Sequence, residues 1–141
     1  MRFLAPLHHL PLRAATGAYI LNSGLGKKDA DQQTAAWLHG QAAGAYPFLK
    51  DIDPARFARL LSAAETALGV ALLLPVVPSS LAGLGLTAFG AGLVGLYLRT
   101  PGMREPGGVR PTSEGAGLAK DVWLLGAGLT LALEGCHRGR R

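Results

Sequence analysis

"LLSAAETALGVALLLPVV", residues 60–77, is apolar on both sides of a single carboxylate, Glu65. Between Glu65 and the next charged residue, Arg99, run 33 residues without Asp, Glu, Lys or Arg. A bilayer-spanning helix needs about 20 mostly apolar residues, so this run is too long for one span and somewhat short for two. Pro75, Pro78, Ser79 and Ser80 divide it, because proline cannot continue a helix hydrogen-bond ladder and serine favours a helix N-cap. The stretch therefore predicts a helical hairpin. Its outgoing arm covers 80–98. Its incoming arm must recruit residues upstream of Glu65 and covers 55–77, which places Glu65 near mid-depth.

The same reasoning locates two further helices. Val122 to Leu133 is apolar but too short to cross, so that helix is expected to begin upstream and cover 115–134, drawing Lys120 and Asp121 into its first third. Residues 11–26 form a short first span between Arg13 and Lys27-Lys28. The expected fold is all-α: an integral membrane four-helix bundle, one domain over 1–141, multi-pass in the cell membrane. In the first connection "DQQTAAWLHGQAAGAY" is rich in helix formers and ends before Pro47. Trp37, Tyr46 and Phe48 suit the membrane–water boundary, so an interfacial helix is expected there. The proline- and glycine-rich stretch after the third span reads as loop. "MRFLAPLHHLPL" is broken by histidine and proline and lacks a clean cleavage site, so it reads as an interfacial flank and not a signal peptide.

A soluble helical domain is the competing reading. The second and third segments lack the polar face that a soluble helix of that length shows. The third also carries Gly83, Gly85, Gly90, Gly92 and Gly95. Each costs about 1 kcal/mol relative to alanine in a water-exposed helix, whereas in a bilayer small residues let helices approach closely. Composition alone does not decide: the hydrophobic fraction of 49% is ordinary.

The net charge of +5 is spread over loops and both ends, which suits membrane flanks and argues against nucleic acid as a partner. Cys136 is the sole cysteine, so no intramolecular disulfide or C-x-x-C pair exists, and it is expected in a solvated tail with His137. His8 and His9 are adjacent, which on a helix points their rings apart, and no metal or haem site is expected. His39 reads as interfacial. Gly40-x-x-x-Gly44 reads as a packing signal, because no strand precedes it. No nucleophile–base pair stands out, so no catalytic constellation is recognisable.

Let side A hold the two termini and side B the other helix ends. Glu65 then lies about 16 Å, and Lys120 about 10 Å, below the side B helix starts at about 1.5 Å per residue. A lysine stem spans the gap, so the spacing favours a Glu65–Lys120 pair, with Asp121, Ser62 and Thr66 nearby. Lys27, Asn22 and Ser23 extend the polar cluster. An unpaired charge at the helix centre costs about 2.5–3.5 kcal/mol on insertion scales, so the charges should face inward. Two readings stay open: a pair that only fixes packing, or a polar site lining a cavity.

Three stretches carry a family likeness: "SGLGK" (Ser23–Lys27), "AETALGVALLLP" (Ala64–Pro75) and "LAKDVWLLGAGLTLAL" (Leu118–Leu133). In that order and spacing the chain resembles the DoxX family of small four-helix membrane proteins, from about Arg13 onward. The resemblance matches the polar positions Lys27, Glu65 and Lys120. It implies a quinone as ligand and a redox protein as partner, in a family most of whose members have no established activity. The long first connection with Asp29, Asp31, Asp51 and Asp53 departs from a simple family member. The expected function is thus a non-catalytic subunit or scaffold of a quinone-linked or redox-associated complex in the lipid bilayer. The alternative is a small transporter or permeation element using the Glu–Lys site. Nine Lys/Arg fall on side B and five on side A, which by the positive-inside rule places side B in the cytoplasm.

Overall fold

The computed structural model describes residues 6–29, 31–100, 103–108, 110–113, 115–116 and 120–138, with the side chains of 135–138 excepted. The helices are Leu10–Lys27 (α1), Gln32–Ala45 (α2), Pro54–Leu73 (α3), Ser79–Arg99 (α4) and Val122–Arg138 (α5), with 3-10 turns at Leu7–His9 and Pro47–Asp51. No strand occurs among the described residues; Arg104 and Pro111 form one isolated antiparallel bridge. The all-α reading and the helix in the first connection are as expected.

Local chemistry sets the boundaries. The Asp31 carboxylate accepts from the Thr34 N–H at 2.7 Å and starts α2. Asp53 accepts from the Arg56 N–H at 3.2 Å, and Pro54 in the first turn has no N–H to satisfy. α3, the expected second span, ends at Leu73, short of the expected residue 77, because Leu74 precedes Pro75 and is forced into an extended conformation (φ −85°, ψ 112°). Thr100, before Pro101, ends α4 in the same way (φ −87°, ψ 123°). Neither expected serine cap forms: α4 begins at Ser79 after Pro78, with no side-chain cap bond. The fourth helix is described from Val122, not 115; Lys120 and Asp121 lie in the turn before it, and 117–119 fall outside the described residues.

The helices pack as two pairs, α1 against α3 and α4 against α5. Both pairs cross through glycine. A Cβ on Gly17 would meet Leu72 and Leu73, one on Gly24 would meet the Thr66 and Glu65 backbone, and one on Gly69 would meet Leu21. In the second pair, Gly83 lies against Leu131 and Ala132, Gly90 against Leu124 and Leu125, and Gly128 against Thr87. The two contact sets are one set repeated. Shifting numbers by 66 carries 17, 21 and 24 onto 83, 87 and 90, and shifting by 59 carries 65, 66, 69, 72 and 73 onto 124, 125, 128, 131 and 132. The chain therefore contains the same two-helix crossing twice.

The pairs join at their side A half. Ile20 and Leu72 of the first pair meet Leu86 and Leu131 of the second in the core, each at most 1% exposed. These four are also related by the two shifts: Ile20 matches Leu86, and Leu72 matches Leu131. Among the described residues one helix, Ser79–Arg99, is long and apolar enough to cross a membrane by length and composition, and Val122–Glu134 is a shorter apolar stretch. The first pair is less apolar because α1 carries Arg13 and Lys27, and α3 carries Arg56, Arg59 and Glu65. Arg13 and Glu65 nevertheless face inward, 1% and 3% exposed.

Candidate functional site

Above the core, towards side B, the pairs separate and leave a partly enclosed cavity of about 610 Å³. Its walls come from α1, α3 and α4, with α2 lying across it and Asp121 at the foot of α5. Five aromatic rings, Tyr19, Trp37, Tyr46, Phe57 and Phe89, line a mostly apolar interior. The roof is pinned to α4: the Tyr46 hydroxyl donates to the Gly92 carbonyl at 2.8 Å, and the Arg99 guanidinium sits 5.1 Å over the Tyr46 ring. Arg99 also donates to the Ala45 carbonyl at 3.1 Å. At the other edge, His39 Nε2 lies 2.7 Å from the Leu49 carbonyl oxygen.

Glu65 lines this cavity, and its partner is Lys27. Lys27 Nζ donates to Glu65 Oε2 at 3.0 Å and also to the Ser23 hydroxyl and the Ser23 carbonyl. The glycine crossing makes this reach available. Gly24 brings α1 against the Glu65–Thr66 backbone, and the Ser62 hydroxyl donates to the Gly24 carbonyl at 2.7 Å. Helical side chains tilt towards the helix N-terminus, so the Lys27 stem runs back down α1 to the level of Ser23 and Glu65.

The expected Glu65–Lys120 pair is therefore corrected. Lys120 sits exposed in the turn before α5 and lines a separate groove with Asp121, Trp123 and Ala127 against α1. Counting depth along each helix missed both the α1–α3 pairing and the backward tilt that brings Lys27 inward. Of the expected cluster, Glu65, Lys27, Ser23 and Asp121 share the cavity; Ser62 lies buried beside the crossing, and Asn22 is exposed.

Two features at side A escaped the sequence. Arg13, expected only as a flank, is buried with all five guanidinium hydrogens engaged. It donates to the carbonyls of Ala71, Leu72, Leu74 and Val77 at 2.8–2.9 Å and to the Ser79 hydroxyl at 3.1 Å. These carbonyls lie where α3 ends and its loop runs to α4; that of Leu74 also accepts the Val77 N–H at 3.1 Å, and a guanidinium fork satisfies several at once. The signal was present in the Pro75–Pro78 break, which guarantees unsatisfied carbonyls needing a donor. Second, the His8 and His9 rings do not point apart. They lie in a 3-10 turn, not an α-helix, with centroids 4.4 Å apart at 72°. Cys136 and His137 have side chains outside the described residues.

No family model, no curated protein and no solved structure matches the chain. The class that fold and site define is a helical protein of two matched pairs with a charged, aromatic-lined cavity between them.

Proposed function

We propose that this is a four-span integral membrane protein, DoxX-like, whose cavity holds an amphipathic, quinone-like molecule for a redox partner without itself catalysing a reaction. One observation carries the reading: the Lys27–Glu65 pair is not needed by the crossing it occupies. Under the two shifts that relate the pairs, Glu65 matches Leu124 and Lys27 matches Leu93, and the second pair packs as closely with leucine at both positions. A charged pair that packing does not require, set in an apolar pocket, has the form of ligand sites, where a few polar groups orient a mostly apolar guest. Intramembrane ionisable groups are functional hypotheses by default.

The membrane setting draws support from the pattern of exposure. Leu60, Val70, Leu81, Leu84, Leu129 and Leu133 are exposed, while Arg13 and Glu65 are buried. The permeation alternative draws less. Ile20, Phe89 and Leu93 belong both to the cavity lining and to the joined apolar core or its packing shell, so the cavity closes towards side A.

The test is purification in mild detergent, followed by solvent extraction and mass spectrometry of bound lipids and proteins. A retained isoprenoid or quinone-like amphiphile in the wild type, lost from the Lys27→Leu/Glu65→Leu double variant, is the expected result. A soluble quinone analogue should also quench Trp37 in a Trp123→Phe background. Absence of both the extracted amphiphile and the quenching sinks the proposal.

A further inference from the structure

At the end of the bundle opposite the cavity, His8, His9 and Glu134 converge, one ligand atom from each lying within 4.8 Å of the others. They come from the turn before α1 and from α5. His9 is 5% exposed, and its ring is fixed: Nδ1 lies 2.8 Å from the Ser79 hydroxyl, which also receives the Arg13 guanidinium at 3.1 Å. In the tautomer that carries its proton on Nδ1 and donates it to Ser79, the Nε2 lone pair faces Glu134. The Nε2–Oε2 separation is 3.7 Å, beyond hydrogen-bond range. It is close to the edge of a tetrahedron whose ligands sit about 2.0–2.2 Å from a central zinc ion.

We propose that His8, His9 and Glu134 bind a divalent transition metal of the zinc class, with three protein ligands and a fourth position open. Two imidazoles and one carboxylate are a donor set that such ions accept. A hydrogen bond to the second ring nitrogen, made here by a hydroxyl in place of the usual carboxylate, carbonyl or water, fixes the ring as outer-shell partners of metal-bound histidines do. The charges agree. Two neutral rings and one carboxylate attract a dication, while Arg13 donates to the Ser79 hydroxyl on the Nδ1 side of the His9 ring. Closing from 4.8 Å to a tetrahedral edge takes about 1 Å of movement. The exposed His8 ring and the torsions of Glu134 supply it. Adjacency argued against a site on a regular helix, but the side chains here bring the two rings to 4.4 Å between centroids.

The test uses the full chain, purified without a polyhistidine tag and titrated with cobalt chloride. The expected result is one Co²⁺ per chain, with the intense visible absorption of a four-coordinate ion, reversed by zinc chloride. His8→Ala should weaken binding about tenfold or more while leaving the melting temperature of the metal-free protein unchanged, since His8 is exposed. Glu134→Gln should weaken it as well. A six-coordinate spectrum like that of the free ion overturns the site, as does wild-type affinity in both variants.

Discussion

The two helix pairs make the same crossing and differ in what they carry. In α4 and α5 the glycine contacts are surrounded by leucine, phenylalanine and alanine. In α1 and α3 the matched positions hold Lys27, Ser23 and Glu65, and the connection between them forms the α2 roof. The connection between α4 and α5 has no described counterpart of that roof; it carries the isolated Arg104–Pro111 bridge. The comparison separates scaffold from cargo. Glycine at the crossing is common to both pairs and belongs to the scaffold. The ion pair and the roof belong to one pair only, and they are the elements that shape the cavity.

Where the two pairs join, the matched positions touch. Arg13 and Ser79 are related by the same shift of 66 and lie 3.1 Å apart. Breaking that joint should have the largest effect. Arg13→Met removes five hydrogen bonds and strands the carbonyls of Ala71, Leu72 and Val77, while that of Leu74 keeps the Val77 N–H; each unsatisfied group costs about 1–3 kcal/mol. The expected outcome is a protein that loses its cooperative melt or fails to accumulate in folded form. Arg13→Lys, with three donors, should recover part of the stability. A normal melting temperature for Arg13→Met would mean that the pairs are held by the Ile20–Leu72–Leu86–Leu131 core alone.

The next effect tests the cargo directly. Glu65→Leu installs the residue that the second pair uses but leaves Lys27 without its carboxylate. Breaking a fully buried pair costs about 3–5 kcal/mol, and because Lys27 keeps some exposure the expected loss is smaller, about 2 kcal/mol. The Lys27→Leu/Glu65→Leu double variant completes the match to Leu93 and Leu124 and should melt at or above the wild-type temperature. Thermal denaturation in detergent reads both. Additive losses in the double variant would show that the pair serves packing after all.

Much of this arrangement was legible in the sequence. The apolar run around Glu65 and the Pro75–Pro78 break fix two consecutive helices and the inward carboxylate, and the residues before Pro47 yield α2. The two arms of the expected hairpin pack chiefly against α1 and α5, not against each other. What failed was long-range. Which cation meets Glu65 depends on which helices pair, and no periodicity within one segment reveals that; only the pairing of α1 with α3 selects Lys27 over Lys120. The glycine spacing of 17, 24 and 69 against 83, 90 and 128 lies open in the chain, yet it becomes a repeat only when the partner helix is known. Arg13 was undervalued because its acceptors lie some sixty residues away. The proximity of the two histidine rings depends on their side-chain rotamers at the entry to α1, which residue types alone do not announce.

The smallest effects should come from the scaffold itself, and they sharpen the comparison most. Gly69 and Gly128 occupy matched places, each with its Cα pressed on a partner backbone at Leu21 and Thr87. Alanine at either site must push the helices apart, and overpacking of this kind costs about 1–3 kcal/mol. Gly126, two residues before Gly128, has nothing within 4 Å of a built Cβ. There alanine relieves backbone entropy and should be neutral or stabilising by up to about 1 kcal/mol. The expected melting temperatures thus fall for Gly69→Ala and Gly128→Ala by similar amounts and hold or rise for Gly126→Ala. Similar losses would establish the repeated crossing as a shared physical unit. A large loss at Gly128 with none at Gly69 would mean that only the apolar pair depends on close approach, the charged pair being held instead by Lys27, Glu65 and the Ser62–Gly24 hydrogen bond.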